Sequence, residues 1–185
     1  MMIQVCRLVL MFILLPVLAL AQKTHQPYAG QEHREIKTLS PEEIKAYLEG
    51  QGMGFAKAAE LNHYPGPKHV LELAAELQLS QEQKIATQAI YDNMHHEAVR
   101  RGKQIVEHEK KLDELFASGE MDRDRLVAIV NEISRLQGEA RIIHLQAHLE
   151  MKQRLTVAQI AKYDELRGYG TAKPREMHHH QHGNH

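Results

Sequence analysis

The chain has 185 residues, 43% of them apolar but only 5% aromatic and none of them Trp, a composition that predicts one small helical domain with an aliphatic core. Its 23 basic and 24 acidic residues leave a formal net charge of -1, which excludes the strongly cationic surface of a general nucleic-acid binder. No nucleic-acid partner is expected, and charge alone names no other.

Residues 1–21 read as a secretory signal. Arg7 supplies the positive region, Leu8 to Leu20 the apolar stretch, and Ala19-Leu20-Ala21 a small-residue site for cleavage after Ala21. An uncleaved membrane anchor is the alternative, but the apolar run falls short of the ~20 residues a spanning helix needs, and Pro16 interrupts it. The single cysteine, Cys6, lies ahead of the run, so cleavage leaves a chain held by packing and helix caps without disulfides.

Residues 22–38 are polar, carry Pro27 and Gly30 and show no sustained period, which predicts a flexible arm before an all-helical domain over 39–170. Leu39-Ser40-Pro41-Glu42-Glu43 is a capping box with proline in the first helical position, so a helix is expected from Ser40 through Ile44, Tyr47 and Leu48. Gly50-Gln51-Gly52-Met53-Gly54 then interrupts it. A glycine series of this kind invites comparison with phosphate-binding loops, but those follow a strand, and none precedes this one. A kink or tight crossing is expected, followed by a helical piece from Phe55 to Leu61. Asn62 to Pro67 is a turn by composition, and Val70, Leu71, Leu73, Ala74 and Leu77 give the next short helix an apolar face.

Leu79-Ser80-Gln81-Glu82-Gln83 is the second capping box and opens a long helix to about Ala117. Within it Tyr91, Ala98, Ile105 and Leu112 form one seven-residue row, and Met94, Arg101, His108 and Leu115 a companion row, which predicts a hairpin or coiled-coil seam with Arg101 and His108 at its edge, their tips solvated. Ser118-Gly119-Glu120 breaks the pattern and Asp122 can cap the next helix. That helix, Arg123 to about Arg154, stacks Leu126, Ile129, Val130, Ile133, Leu136, Ala140, Ala147 and Met151 in one stripe. Leu155-Thr156-Val157-Ala158-Gln159 is the third box, and a terminal helix through Ile160, Tyr163 and Leu166 stops at Gly168-Tyr169-Gly170. Leu39 with Ile44 and Leu155 with Ile160 also have hydrophobic-staple spacing. No strand is expected.

Two Leu-Ser/Thr-x-x-Gln boxes, one at the head of the long helix and one at the head of the last, make the chain resemble the Spy/CpxP family of exported proteins, whose superfamily includes periplasmic heavy-metal sensor and resistance proteins. The resemblance runs from about Leu71 to Tyr169, and the segment Gly52 to Leu73 looks like the longer front end of the metal-associated branch. It implies a periplasmic, all-α protein: a bent antiparallel hairpin of long helices with short N-terminal helices and a C-terminal helix, paired into a homodimeric cradle that holds unfolded or partly folded envelope proteins without ATP. Relatives in the metal branch bind transition metals or report on them to a signalling partner in the envelope. Leu79, Ser80, Gln83, Leu155, Thr156 and Gln159 match the family motif, and their roles are structural.

Fourteen histidines are a strong excess. The tail, residues 171–185, has no apolar pattern and carries His178, His179, His180, His182 and His185. Neutral imidazoles so clustered can wrap Zn²⁺, Cu²⁺ or Ni²⁺; an affinity tag or a merely solvated tail are the alternatives. His144 and His148, four apart on one helix, project on or beside its apolar stripe. Counting outward from the Gly119 turn places Met94, His95 and His96 opposite His144, so a site built from His144, His148 and a donor from that trio is expected. A methionine donor would favour Cu(I) and an all-histidine set Zn²⁺, Ni²⁺ or Cu²⁺. The competing reading is two histidines hydrogen-bonded inside the hairpin or facing a partner subunit. His95-His96-Glu97 lacks the His-Glu-x-x-His spacing of zinc proteases, and no nucleophile arrangement is recognisable, so the chain is not read as an enzyme and no cofactor is obligatory.

Overall fold

The computed structural model describes residues 26–169, so the expected signal sequence and the histidine-rich tail lie outside the described residues. Residues up to Glu32 form a unit of their own, whose described part is a turn leading into a 3-10 turn at Gln31–His33. The rest is built from six helices, with no strand among the described residues: α1 (Pro41–Leu48), α2 (Lys57–Glu60), α3 (Pro67–Glu72), α4 (Gln81–Ala117), α5 (Arg123–Arg154) and α6 (Val157–Leu166).

The frame is the antiparallel pair α4 and α5, turned at Ser118 to Asp122. At 37 residues α4 is about 55 Å long at 1.5 Å per residue. Gly119 takes a left-handed φ of 73°, and the Asp122 side chain accepts from the Arg125 N–H to start α5. The seam buries Met94, Ala98 and Ile105 from α4 against Ile129, Ile133, Leu136, Ala140, Ala147 and Met151 from α5. Val130, expected in the stripe, is half exposed because the stripe drifts round a straight helix. Arg101 is not a solvated edge residue: its Nε lies 2.7 Å from Glu139 Oε2 and ties the two helices together.

All three boxes form, each with its Ser or Thr oxygen accepting from the third helical N–H and its Glu or Gln accepting from the cap N–H. Two of them also meet. Gln83 Nε2 donates to Gln159 Oε1 at 2.9 Å and Gln159 Nε2 donates back to Gln83 Oε1 at 3.0 Å, while the same amides reach the Arg154 and Leu77 carbonyls. The repeated glutamine thus locks the head of α4 to the head of α6. Under this pair lies a core of Val70, Leu77, Leu79, Met151, Leu155 and Tyr163.

At the other end α1 crosses α4 at Gly102, where any side chain would run into the Tyr47 carbonyl. The expected loose arm therefore ends sooner than 38. Ile36 is 2% exposed in a core with Leu39, Tyr47, Ile105, Leu136 and Ala140, Lys37 pairs with Asp113 at 2.9 Å, and the Thr38 hydroxyl donates to Glu109. Two short helices differ from expectation. The piece after the glycines is helical only over Lys57–Glu60, and α3 begins at Pro67 and ends before Leu73, the chain then turning to a left-handed Gln78. Proline at the first helical position explains the start of α3 at Pro67.

Candidate metal site

Between the glycine loop, the α2–α3 turn, α4 and α5 lies a cleft of about 770 Å³ lined by Met53, Met94, His95, His144, His148 and Glu60, among others. The register that places Met94 and His95 opposite His144 is the one expected by counting from the Gly119 turn. His96 is not part of it: its side chain is 77% exposed and faces Glu97. Met94 and His95 both line the cleft, and about 100° further round the helix the His96 side chain turns out to solvent.

His144 is 4% exposed, with the Phe55 ring 5.9 Å away. Burial, reinforced by the neighbouring His148 and His95, lowers its pKa to about 4, so the imidazole is neutral near pH 7. A neutral imidazole is the form that ligates metal. Gly52 sits over this ring, close enough that a Cβ there would lie 4.0 Å from Nδ1.

His148, 7% exposed, is oriented by the Tyr64-Pro65-Gly66 turn. Its Nδ1 donates to the Tyr64 carbonyl at 2.7 Å, which fixes the tautomer and leaves the Nε2 lone pair unprotonated in the neutral ring. Gly66 passes so close to the far edge of the ring that a Cβ would stand 2.9 Å from Cε1. The turn itself is pinned on two sides, by His63 Nδ1 2.7 Å from Asp164 Oδ2 and by Lys152 3.6 Å above the Tyr64 ring.

Sequence reasoning missed Glu60. From α2 its Oε1 accepts from Tyr163 at 2.5 Å and Tyr169 at 3.1 Å, with Arg167 Nε 3.6 Å away. Burial and then this carboxylate push the Tyr163 phenol above its ordinary range. The second oxygen, Oε2, is buried without a hydrogen bond and lies 3.5 Å from His148 Nδ1. An orphaned buried carboxylate oxygen beside an imidazole is costly unless a cation or a proton compensates it. Its signal in sequence was slight, a single acid at the end of the four-residue helix Lys57–Glu60.

The chemistry available is therefore imidazole, thioether and carboxylate around one cleft. Among the described residues no three His, Cys, Asp or Glu side chains are drawn together as a ready metal group. Two buried histidines four apart on one helix, with Met94, Met53, His95 and Glu60 lining the same cleft, nonetheless fit a metal ion in donor type.

Residues 52–162 match the family model described as heavy-metal resistance, which spans more than half of the chain. The chain belongs to this heavy-metal resistance family. The matched region opens at Gly52 and runs from α2 through most of α6, taking in most of the cleft lining but not Glu49 to Gln51, Arg167 or Tyr169. No curated protein and no solved structure matches the chain. Among the described residues no helix is long and apolar enough to cross a membrane.

Proposed function

We propose that this member of the heavy-metal resistance family acts by binding a transition-metal ion in the cleft, with His144 and His148 as the fixed ligands and the protein working as an exported, periplasmic metal-handling factor without catalysis. The observation that carries this reading is the pair of buried imidazoles one helical turn apart, one kept neutral by burial and the other held in a single tautomer by Tyr64. Burying two histidines with so little hydrogen bonding is poor use of a core position unless the lone pairs have a ligand. The tail histidines 178, 179, 180, 182 and 185 serve, in this reading, as a weaker and less selective collecting site.

Competition titrations with a chromogenic chelator on the full mature chain test it, using Zn²⁺, Ni²⁺ and Cu²⁺. Replacing the five tail histidines by Asn should leave one tight site, and adding His144→Ala with His148→Ala should abolish it. Tight binding that survives the cleft double variant sinks the assignment.

A second reading, an ATP-independent chaperone, is favoured by Val127, Ile142 and Leu149, each about half exposed and projecting within about 60° of one another along the outer side of α5. A homodimer covering part of this face would form the expected cradle. The test is aggregation of an unrelated unfolding protein: no suppression at several-fold excess removes the chaperone reading.

A further inference from the structure

We infer that the cleft is built for a soft monovalent d10 ion, Cu(I) or its redox-inert analogue Ag(I), with the thioethers of Met94 and Met53 joining the imidazole of His144. This rests on the reading of the cleft as a metal site and names its cargo. Met94 is 8% exposed and lines the cleft from α4, on the same stretch of hairpin as His144. Met53 lines it from the loop opposite, and its neighbour Gly52 is the residue that sits over the His144 ring. One thioether is thus buried and the other stands at the mouth, 38% exposed, with the imidazole between the elements that carry them.

Met53 holds a left-handed φ of 44° between Gly52 and Gly54. Glycine or Asn would take that conformation with little strain, and a long thioether does not. Placing a methionine there stores strain at the one non-glycine residue of the cleft-lining Gly50–Gly54 loop that takes a left-handed conformation.

The nitrogen donors are also unequal. Among the described residues His144 makes no hydrogen bond to protein, whereas His148 offers only Nε2, on the edge packed against Gly66, its Nδ1 donating to Tyr64, and Glu60 Oε1 is taken by two tyrosines. The Glu60 charge is moreover balanced by Arg167. Besides His148 and His95, whose Nε2 is held 3.0 Å from the Glu49 carbonyl, the side chains around the nearly buried His144 include two thioethers and the Phe55 ring. The desolvation cost of an ion scales with the square of its charge, so a monovalent ion enters such a place at about a quarter of the cost of a divalent one. Thioether and imidazole at low coordination number match Cu(I) and Ag(I), while Zn²⁺ or Ni²⁺ would have to recruit Glu60 and His148.

The test uses the full mature chain with the tail histidines replaced by Asn, titrated with Ag(I), with Cu(I) under anaerobic reductant, and with Zn²⁺, each against a competing chelator. Met94→Leu and Met53→Leu conserve volume and helix or loop geometry. Each should weaken Ag(I) and Cu(I) by about tenfold or more while Zn²⁺ binding stays within about twofold, the scale expected for losing a ligand or its support. Copper-edge X-ray absorption of the Cu(I) form should show sulfur neighbours that diminish in Met94→Leu. If the methionine variants bind Ag(I) and Cu(I) as tightly as the parent, or the spectrum shows nitrogen alone, the soft-ion inference is overturned. The two levels separate cleanly. Zn²⁺ binding lost in His144→Ala/His148→Ala but indifferent to methionine leaves the cleft reading standing and this inference refuted; no response of any ion to either set refutes both.

Discussion

The glutamine pair at the heads of α4 and α6 can be broken without disturbing the caps, by Gln159→Glu. A glutamate at this position still accepts from the Thr156 N–H, as Glu43 does from Ser40 in the first box. It cannot donate. Two hydrogen bonds are therefore lost, to the Leu77 carbonyl and to Gln83 Oε1, and a carboxylate now faces an amide oxygen. With about 1 kcal/mol for each bond and about 1–3 kcal/mol for a half-buried acceptor left facing another, the loss is about 3–5 kcal/mol. For a domain of this size that lowers Tm by about 6–20 °C. Urea unfolding followed by circular dichroism reads the difference directly, and Gln83→Met combined with Gln159→Met in a double-mutant cycle should return a coupling of about 1–2 kcal/mol. Stability of Gln159→Glu within about 0.5 kcal/mol of the parent would refute the idea that the repeated motif is a clasp between helix heads rather than two separate caps.

Three other perturbations follow from the same contacts. His144 has a folded-state pKa of about 4 against an ordinary 6.5, so the unfolded chain binds more protons between those values; its contribution is complete above about pH 6.5 and is lost as pH falls toward 4, amounting to about 3 kcal/mol, and His144→Leu should flatten that limb of a stability–pH curve. Gly66→Ala keeps an extended backbone that alanine accepts but forces the His148 ring away from the turn, so metal affinity should fall about tenfold or more with stability reduced by about 1–3 kcal/mol in thermal melts. Gly102→Ala drives a methyl into the Tyr47 carbonyl and should destabilise the domain by about 3 kcal/mol or more while leaving the distant α4–α6 clasp intact, as amide exchange of the Gln83 and Gln159 backbone would show.

The helix starts were legible because capping is local: Ser40, Ser80 and Thr156 and their partners three residues on are read from adjacent letters, and each formed as read. That the second and third boxes bond to each other was not legible, since the contact joins residues 76 apart. The hairpin register followed from the Gly119 break, and with it the approach of Met94 and His95 to His144 and His148. His96 was carried along only because it adjoins His95. Ile36 looked like a lone apolar residue in a polar arm, yet it fills the core beside Tyr47, a burial decided by tertiary fit and not by local pattern. Glu60 was invisible for the opposite reason. An acid in a four-residue helix looks solvated, and only the fold brings Tyr163, Tyr169 and His148 around it.

The most direct measurement of the central claim is a long-range ¹H–¹⁵N spectrum of the imidazoles in the full mature chain carrying Asn at the five tail positions, recorded while one equivalent of Zn²⁺ or Ag(I) is added. The nitrogens of His144 and His148 should shift first and saturate at one equivalent. If those two stay fixed while surface rings such as His63 or His69 move, the buried pair is a structural feature of the core and the metal site lies elsewhere.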